Sequence, residues 1–344
     1  MASVTSEKFG KTQDGQDVTR YVFTNKNNLV VKIMDYGGTI TDILVPDKAG
    51  NVTDICPGFD SLQGYEANPI YMGAIIGRFA DRIANGTFIL DGVKYQLNCM
   101  DLNESGHFLH GGKKGFDKMV WKSHLEGSKL VLKYVSADGE EGFPGELTTT
   151  VTYELTDDNE LNLTYTATTT KATPLNLTNH VYFNIAGHDN GSLDNHMATV
   201  NADTYLPMSD SYIPTGEVRK VDGLPQDMRQ PSRLGDRIPN IPGGVGFVCY
   251  YILDNKGEKK FAARFEASGR FMECYTTEPG LMFYTGYYLN NTGKNGAHYG
   301  RYSAFCLETQ QYPDNVHHDN FPNSILRPGE TYKQSTTYKF GASS

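Results

Sequence analysis

A carboxylate and a histidine of this 344-residue chain stand in sequence contexts that suit proton-transfer chemistry. Glu308 follows the apolar residues 305–307, so we expect it to lie partly buried at the end of a strand. Burial raises the pKa of a carboxyl group and makes its carboxylate a useful base near neutral pH. His110 precedes two glycines in the segment 108–112, which predicts an accessible loop histidine. A purely structural role for this histidine is the alternative.

A second histidine lies in the segment 177–184, which reads Leu-Thr-Asn-His-Val-Tyr-Phe-Asn. On a strand, His180, Tyr182 and Asn184 would share one face. Three polar groups are costly in a core unless each has a hydrogen-bond partner, so the pattern favours the wall of a polar pocket. A strand whose polar face lies in solvent would give the same pattern.

Two arginines stand at an expected turn in the segment 77–86. The planar guanidinium of Arg78 or Arg82 can donate two hydrogen bonds to neighbouring sugar hydroxyls or to a carboxylate. The alternative is an ordinary ion pair with Asp81 or another acid. An acid, a base, a donor and the many aromatic rings of the chain, 22 Tyr and 17 Phe, together suggest a site for a neutral polyol.

Charge and composition exclude several other classes of function. The net charge of −9 repels a phosphate backbone, which argues against nucleic acid and membrane lipid as partners. The sequence has no glycine-rich nucleotide-binding motif and no H-E-x-x-H, so we expect neither cofactor nor metal. Five widely spaced cysteines and a start without a signal peptide predict free thiols in a cytoplasmic protein.

The dominant hydrophobic period is two, which predicts an all-β chain of many antiparallel strands with very little helix. One short helix is expected at 61–68. The Pro/Gly-rich stretch 238–246 suits either a long loop or a domain boundary, and we favour a single domain over 1–344. The predicted strands are Leu29–Met34, Lys129–Val135, Leu147–Leu155, Glu160–Thr168, Phe261–Ala267, Phe271–Thr276, Leu281–Thr285 and Thr336–Phe340.

Eight collinear segments, spread over nearly the whole chain, resemble the aldose 1-epimerases, which are also called galactose mutarotases. This resemblance implies a large antiparallel β-sandwich of the galactose mutarotase type, catalysis without a cofactor, and a cytosolic hexose substrate, galactose or glucose. The segments are 77–86, 109–112, 138–145, 173–184, 202–207, 213–217, 305–314 and 326–330.

The resemblance also implies roles for individual residues. The general base of the family falls on Glu308 and its general acid on His180, while its second active-site histidine falls on His110. The sugar-binding arginine falls on Arg82, and Tyr182, two residues after the acid histidine, is expected to line the pocket. Such a pair would move protons between the C1 hydroxyl and the ring oxygen of the sugar.

Three positions depart from the family pattern. The family usually has Asn where Asp81 stands, a sugar-binding Asp near Val248, and Gln where Glu278 stands. Asp236 and Asp254 are alternatives for the missing Asp. We expect Asp81 or Glu278 to supply the lost carboxylate from another wall of the pocket and to shift the sugar preference.

Two further functions compete with anomer exchange. A carbohydrate-binding or regulatory protein on the same scaffold would have weakened catalysis. A sugar-phosphate epimerase would need a Lys/Arg cluster, which the sequence lacks. A monomer and a homodimer are both compatible with the sequence.

Overall fold

The computed structural model of the chain describes residues 2–67, 70–99 and 105–343. Its strands, in chain order, are β1 Ser3–Lys11, β2 Asp17–Thr24, β3 Val30–Met34, β4 Ile40–Pro46, β5 Val52–Asp54, β6 Ile75–Ile76, β7 Arg82–Ile83, β8 Thr87–Leu90, β9 Val93–Gln96, β10 Phe108–Leu109, β11 Lys122–Glu126, β12 Lys129–Ser136, β13 Leu147–Leu155, β14 Glu160–Thr169, β15 Thr173–Pro174, β16 Thr178–Asn179, β17 Tyr182–Phe183, β18 Met197–Val200, β19 Thr204–Leu206, β20 Arg219–Lys220, β21 Ser232–Arg233, β22 Val248–Ile252, β23 Lys260–Ala267, β24 Arg270–Thr276, β25 Gly280–Tyr284, β26 Asn291–Thr292, β27 His298–Tyr299, β28 Phe305–Gln310, β29 Ile325–Leu326 and β30 Tyr332–Ala342. The α-helices are α1 Leu62–Glu66 and α2 Leu234–Arg237, and single 3-10 turns are Ala84–Gly86, Phe116–Lys118, Glu140–Gly142, Ile238–Asn240, Lys294–Gly296 and Asn315–His317.

Three antiparallel sheets carry most of the structure, as the period-two pattern predicts. The first has the strand order β1-β2-β3-β4-β5. The largest has the order β11-β12-β13-β14-β30-β24-β23-β18-β21, and the third has the order β17-β28-β25-β22-β19-β20. Seven of the eight predicted strands match an observed strand to within one residue at each end, and Thr336–Phe340 lies inside the longer strand β30, so the prediction of an all-β, antiparallel fold is confirmed.

One apolar core joins the three sheets. In β13 and β14 every second side chain is buried, because successive residues of a strand point to opposite faces. Tyr153 and Leu163 of the largest sheet belong to the same buried cluster as Phe23 of the first sheet and Phe283 and Phe305 of the third. All three sheets thus bury side chains in the same cluster, and a single domain over 1–344 stays a prediction.

The third sheet separates the core from a cavity. Along β28, Phe305 and Leu307 face the core, so Cys306 and Glu308 face the other side. Leu307 pairs with Phe283 of the neighbouring strand β25, and both side chains belong to the core. Residues that alternate with Phe283 along β25 therefore face the same side as Glu308. The outer face of this sheet therefore forms the floor on which the candidate site is built.

Three local expectations differ from the structure. Glu308 lies inside β28 rather than at its end, because the strand continues to Gln310. The segment 177–184 is not one strand but two short ones, β16 and β17, with His180 in the break between them. The helix expected at 61–68 is shorter, spanning Leu62–Glu66, and residue 68 lies outside the described residues.

No helix among the described residues is long and apolar enough to cross a membrane. The stretch 238–246 is a loop that starts with a 3-10 turn and leads into β22.

Candidate active site

A cleft of about 670 Å³, partly open to solvent, lies over the outer face of the third sheet. Its lining residues come from the sheet and from the loops around it: Ile70, Tyr71, Asp81, Arg82, Leu109, His110, His180, Tyr182, Met208, Tyr212, Val248, Met282, Tyr284, Tyr288 and Glu308.

The segment 73–83 brings both histidines to this cleft. On one side, His180 exchanges backbone hydrogen bonds with it: the N–H of Gly73 donates to the carbonyl of His180, and the N–H of His180 donates to the carbonyl of Ala74. On the other side β7 pairs with β10, which ends one residue before His110. A single chain segment thus holds two residues that are 70 positions apart in the sequence.

Glu308 lies between the two imidazoles. Its Oε1 is 3.6 Å from Nε2 of His180, and its Oε2 is 3.9 Å from Nε2 of His110. All three side chains are buried. Within the described residues no hydrogen-bond donor reaches Oε2 of Glu308. A buried acceptor without a partner is costly, so this oxygen is suited to accept a proton from a substrate hydroxyl.

The backbone settles the tautomer of His110. The N–H of Asp81 donates to Nδ1 of His110 at 3.0 Å, so this nitrogen carries the lone pair and Nε2 carries the hydrogen. His110 therefore presents a neutral N–H donor to the cleft. The contact of His180 Nδ1 is a thiol, Sγ of Cys306, at 3.5 Å.

Burial shifts the pKa values of the acid and the base in opposite directions. Desolvation, assisted by the charge of nearby Asp81, raises the pKa of Glu308 well above its ordinary range. Desolvation lowers the pKa of His180 to about 4. It also lowers the pKa of His110 well below its ordinary value, and His180 contributes to this shift. Groups shifted in this way form a strong base when Glu308 is ionised and a strong acid when His180 is protonated.

Asp81 and Arg82 form the edge of the cleft next to His110. The carboxylate of Asp81 accepts hydrogen bonds from the N–H of Arg82 at 2.8 Å and from Nε2 of Gln310 at 3.2 Å. Burial raises the pKa of Asp81, although the charge of Arg82 opposes this. Asp81 has a φ of 64°, a left-handed conformation that Asn and Asp tolerate better than most residues. Cζ of Arg82 lies 5.0 Å from the centroid of the Tyr212 ring, and Arg82 lines the cleft.

Most of the predicted site residues meet in this cleft, but Glu278 and Asn184 do not. Glu278 is buried outside the lining, where its Oε2 accepts a hydrogen bond from Nε2 of Gln311 at 2.8 Å. Glu278 therefore does not supply a carboxylate from another wall of the cleft, and that expectation is wrong. The amide of Asn184 donates to the backbone carbonyl of Ser303 at 2.9 Å and supports the fold.

The two alternatives for the missing Asp also lie elsewhere. Neither Asp236 nor Asp254 is among the lining residues, and the exposed Asp236 is paired with Arg233. Val248 itself faces the cleft, as the resemblance places it. Arg78 is buried away from the cleft and donates to the carbonyls of Pro144 and Gly145, so it has a structural role.

Several lining residues escape sequence reasoning. Met282 and Tyr284 share one face of the strand predicted at 281–285. This alternation could have identified both residues once it was known which face of the sheet lines the site. Tyr71 and Tyr288 come from loops whose position depends on tertiary packing, and no sequence pattern points to them.

The two histidines and Glu308 could also hold a metal ion, because one ligand atom from each lies within 4.8 Å of the others. Two imidazoles and one carboxylate are common ligands of zinc. The same atoms suit proton transfer without a metal.

Comparisons with known proteins point to one family. The family model described as "Aldose 1-epimerase" matches residues 19–339. A galactose mutarotase from Homo sapiens is 45% identical over 99% of both chains, and an aldose 1-epimerase from Escherichia coli is 35% identical over 95% of this chain and 96% of its own. The solved structure of an aldose epimerase homologue from C. elegans matches with a TM-score of 0.87 at 26% identity over the full length of both chains. This chain belongs to the aldose 1-epimerase family.

Proposed function

We propose that this protein interconverts the α and β anomers of a free hexose, galactose or glucose, by acid–base catalysis at Glu308 and His180. The observation that carries the proposal is a buried carboxylate whose two oxygens face two imidazoles, 3.6 and 3.9 Å away, on the floor of a cleft. The human galactose mutarotase and the bacterial aldose 1-epimerase that this chain resembles support a galactose or related aldose substrate.

The chemistry needs one base and one acid on the hemiacetal. The carboxylate of Glu308 accepts the proton of the C1 hydroxyl while the imidazolium of His180 donates a proton to the ring oxygen, and the bond between C1 and that oxygen breaks. Rotation about C1–C2 turns the aldehyde over. The ring then closes on the other face of C1, with Glu308 returning its proton and His180 recovering its own.

The remaining polar residues hold the sugar and stabilise charge. His110 donates from Nε2 and is suited to stabilise negative charge that develops on a sugar oxygen. Arg82 and Asp81 provide a donor and an acceptor for ring hydroxyls at the edge of the cleft. Tyr182 lies beside His180 with ring centroids 5.1 Å apart and lines the pocket.

Polarimetry on freshly dissolved α-galactose and α-glucose tests the proposal. We expect the wild-type protein to accelerate the optical change above the buffer rate. Glu308→Gln and His180→Asn should each reduce kcat by about 10²–10⁴-fold, because each removes one positioned proton-transfer group. Glu258→Gln, which changes a largely exposed carboxylate, is the control and should keep full activity.

Circular dichroism checks that each variant keeps the wild-type fold. Full activity in a folded Glu308→Gln variant would overturn the assignment of the base. A protein that binds sugar in calorimetry without accelerating mutarotation would instead fit the carbohydrate-binding alternative.

We also propose a cytosolic protein. None of the five cysteines forms a disulfide within the described residues, as expected from their number and spacing, and unpaired cysteine thiols are typical of a reducing compartment. Fractionation of cells that express the protein tests the location, and sedimentation separates a monomer from a homodimer.

A further inference from the structure

The cleft has two chemically different sides. The polar side carries the acid, the base and the charged pair Asp81 and Arg82. Next to the base, the lining also carries three residues without a conventional hydrogen-bonding group, Met208, Val248 and Met282, which we call the apolar wall.

Strand register places the apolar wall directly beside the catalytic base. Met282 of β25 is the cross-strand partner of Glu308, so the two side chains lie next to each other on the outer face of the sheet. Val248 of β22 pairs with Tyr284 on the same face. A sugar whose C1 lies at Glu308 must therefore place part of its ring or its substituents against Met282 and Val248.

The apolar wall continues into a larger apolar cluster. Met282 packs with Leu206, Tyr250 and Phe321, and Met208 and Val248 pack against them. The hydroxyl of Tyr250 points away from the cleft and donates to the backbone carbonyl of Gln310 at 2.9 Å. The cluster thus presents carbon and sulfur atoms to the cleft.

The tyrosines next to the apolar wall already use their hydroxyl groups within the protein. The hydroxyls of Tyr212 and Tyr288 bond each other at 2.6 Å, and the hydroxyl of Tyr284 accepts the backbone N–H of Tyr288 at 2.8 Å. Tyr284 and the accepting hydroxyl of the Tyr212–Tyr288 pair can still donate to a ligand, so the apolar surface is that of Met208, Val248 and Met282 alone.

Met208, Tyr212 and Val248 also line an adjoining cleft of about 1010 Å³. The apolar wall is thus continuous with further space, which leaves room for a substituent on the sugar.

A hydroxyl group pressed against this surface loses its hydrogen bonds to water and gains none, whereas an apolar group gains from burial. A hydrophobic pocket rejects an added hydroxyl by up to about 10²-fold. The site geometry therefore disfavours a sugar with a hydroxyl at every position.

We propose that the preferred substrate is a free aldose that carries an apolar group in place of one hydroxyl remote from C1, and that Val248 and Met282 select it. This inference rests on the proposed anomer exchange and names its substrate class. The apolar group is a deoxy position or an alkylated oxygen, both of which present C–H bonds to Met282 and Val248.

Mutarotation rates on matched sugars test the proposal. The panel is galactose, its 2-, 3-, 4- and 6-deoxy analogues and 6-O-methylgalactose, with each enzymatic rate divided by the uncatalysed rate of the same sugar. We expect one member with an apolar group to exceed galactose in kcat/KM by about 10–100-fold. Galactose exceeding every other member would overturn the proposal.

Variants of the apolar wall provide an independent arm. Met282→Gln and Val248→Thr keep the approximate shape but add hydrogen-bonding groups, so they should raise kcat/KM for galactose and reduce the preference for the apolar sugar by about tenfold. Met282→Leu keeps the wall apolar and should leave the preference unchanged. Equal preferences in Met282→Gln, Val248→Thr and wild type would remove these residues from the selection.

The same panel separates the two levels of the argument. If no sugar is turned over above its uncatalysed rate, anomer exchange itself fails. If galactose is turned over best, anomer exchange stands and the inference about the substrate class fails.

Discussion

Residue environments, rather than residue types, distinguish the two histidines beside Glu308. Nδ1 of His110 accepts a backbone N–H, so its imidazole is fixed as a neutral donor. Protonation would put two N–H groups face to face, which agrees with the lowered pKa that burial produces. His180 has no such backbone donor at its ring, since its Nδ1 contacts the thiol of Cys306. His180 is therefore the better proton carrier.

These environments predict an unusual pH profile. Because burial raises the pKa of Glu308 and lowers that of His180 to about 4, the pair holds one proton between these two pKa values. We expect kcat/KM to fall near pH 4, where His180 and Glu308 are both protonated, to reach a plateau above that pH, and to fall again where Glu308 ionises and the pair has no proton left to donate. Polarimetry with the uncatalysed rate subtracted at each pH measures this profile. A loss of kcat/KM on the acid side centred near pH 6.5, the ordinary pKa of a histidine, would contradict the prediction.

A second prediction concerns Glu278, which burial shifts to a pKa of about 8 from its ordinary 4.5. Between these values the folded protein binds more protons than the unfolded chain, so the free energy of unfolding falls as pH rises and levels off above pH 8. The loss is on the order of a few kcal/mol, since one pKa unit is about 1.4 kcal/mol. Glu278→Gln should remove this loss.

We therefore expect Glu278→Gln to raise Tm above pH 8, to change it little near pH 5, and to leave KM for galactose and glucose unchanged. Thermal unfolding at both pH values and polarimetry measure these quantities. Glu258→Gln is the exposed control. A changed KM with an unchanged Tm would return Glu278 to the sugar site.

At the scale of elements, the close approach of two strands keeps the base in place. Gly280 of β25 pairs with Gln310 of β28, and a Cβ at Gly280 would overlap the ring of Tyr250 on the other neighbouring strand. The ring of Tyr250 thus lies over Gly280, and its hydroxyl bonds the carbonyl of Gln310. This arrangement ties the end of β28, the strand that carries Glu308, to β22 across the intervening strand β25.

Gly280→Ala should therefore disturb both stability and activity. Overpacking costs about 1–3 kcal/mol in the free energy of unfolding, and the displaced strand should lower kcat because Glu308 moves with it. Denaturant unfolding and polarimetry measure the two effects. Adding Tyr250→Leu, which removes the ring, should recover part of the stability, and a fully stable, fully active Gly280→Ala protein would refute the argument.

At the scale of the whole molecule, one buried lysine joins the first sheet to the hairpin of β26 and β27. Nζ of Lys294 lies 2.7 Å from the carboxylate of Asp54 and 3.4 Å from that of Asp42. It also donates to the carbonyls of Thr41 and Cys56. These strands and the hairpin are more than 200 positions apart in the chain, so the contact stabilises the assembly of the whole fold.

Lys294→Met should leave two largely buried carboxylates without their cation and lower the free energy of unfolding by about 3–5 kcal/mol. Lys129→Met, which breaks the partly exposed pair with Glu154 at 3.1 Å, is the matched control and should cost at most about 1 kcal/mol. Urea unfolding monitored by circular dichroism measures both. Equal effects of the two changes would show that burial of Lys294 does not decide its contribution.

The sequence alone determined eight of the longer strands, because a period-two pattern reports directly which face of a strand is buried. It also determined the family, through motifs that occur in the same order along the chain, and it named Glu308, His180, His110, Arg82 and Tyr182 as candidates. Only the tertiary structure decided that these five meet in one cleft, that Glu278 lies outside it, and that Met282 and Val248 face the base. The reason is that pairing between distant strands sets the neighbours of each side chain, and a local pattern carries no information about which strand comes next in the sheet.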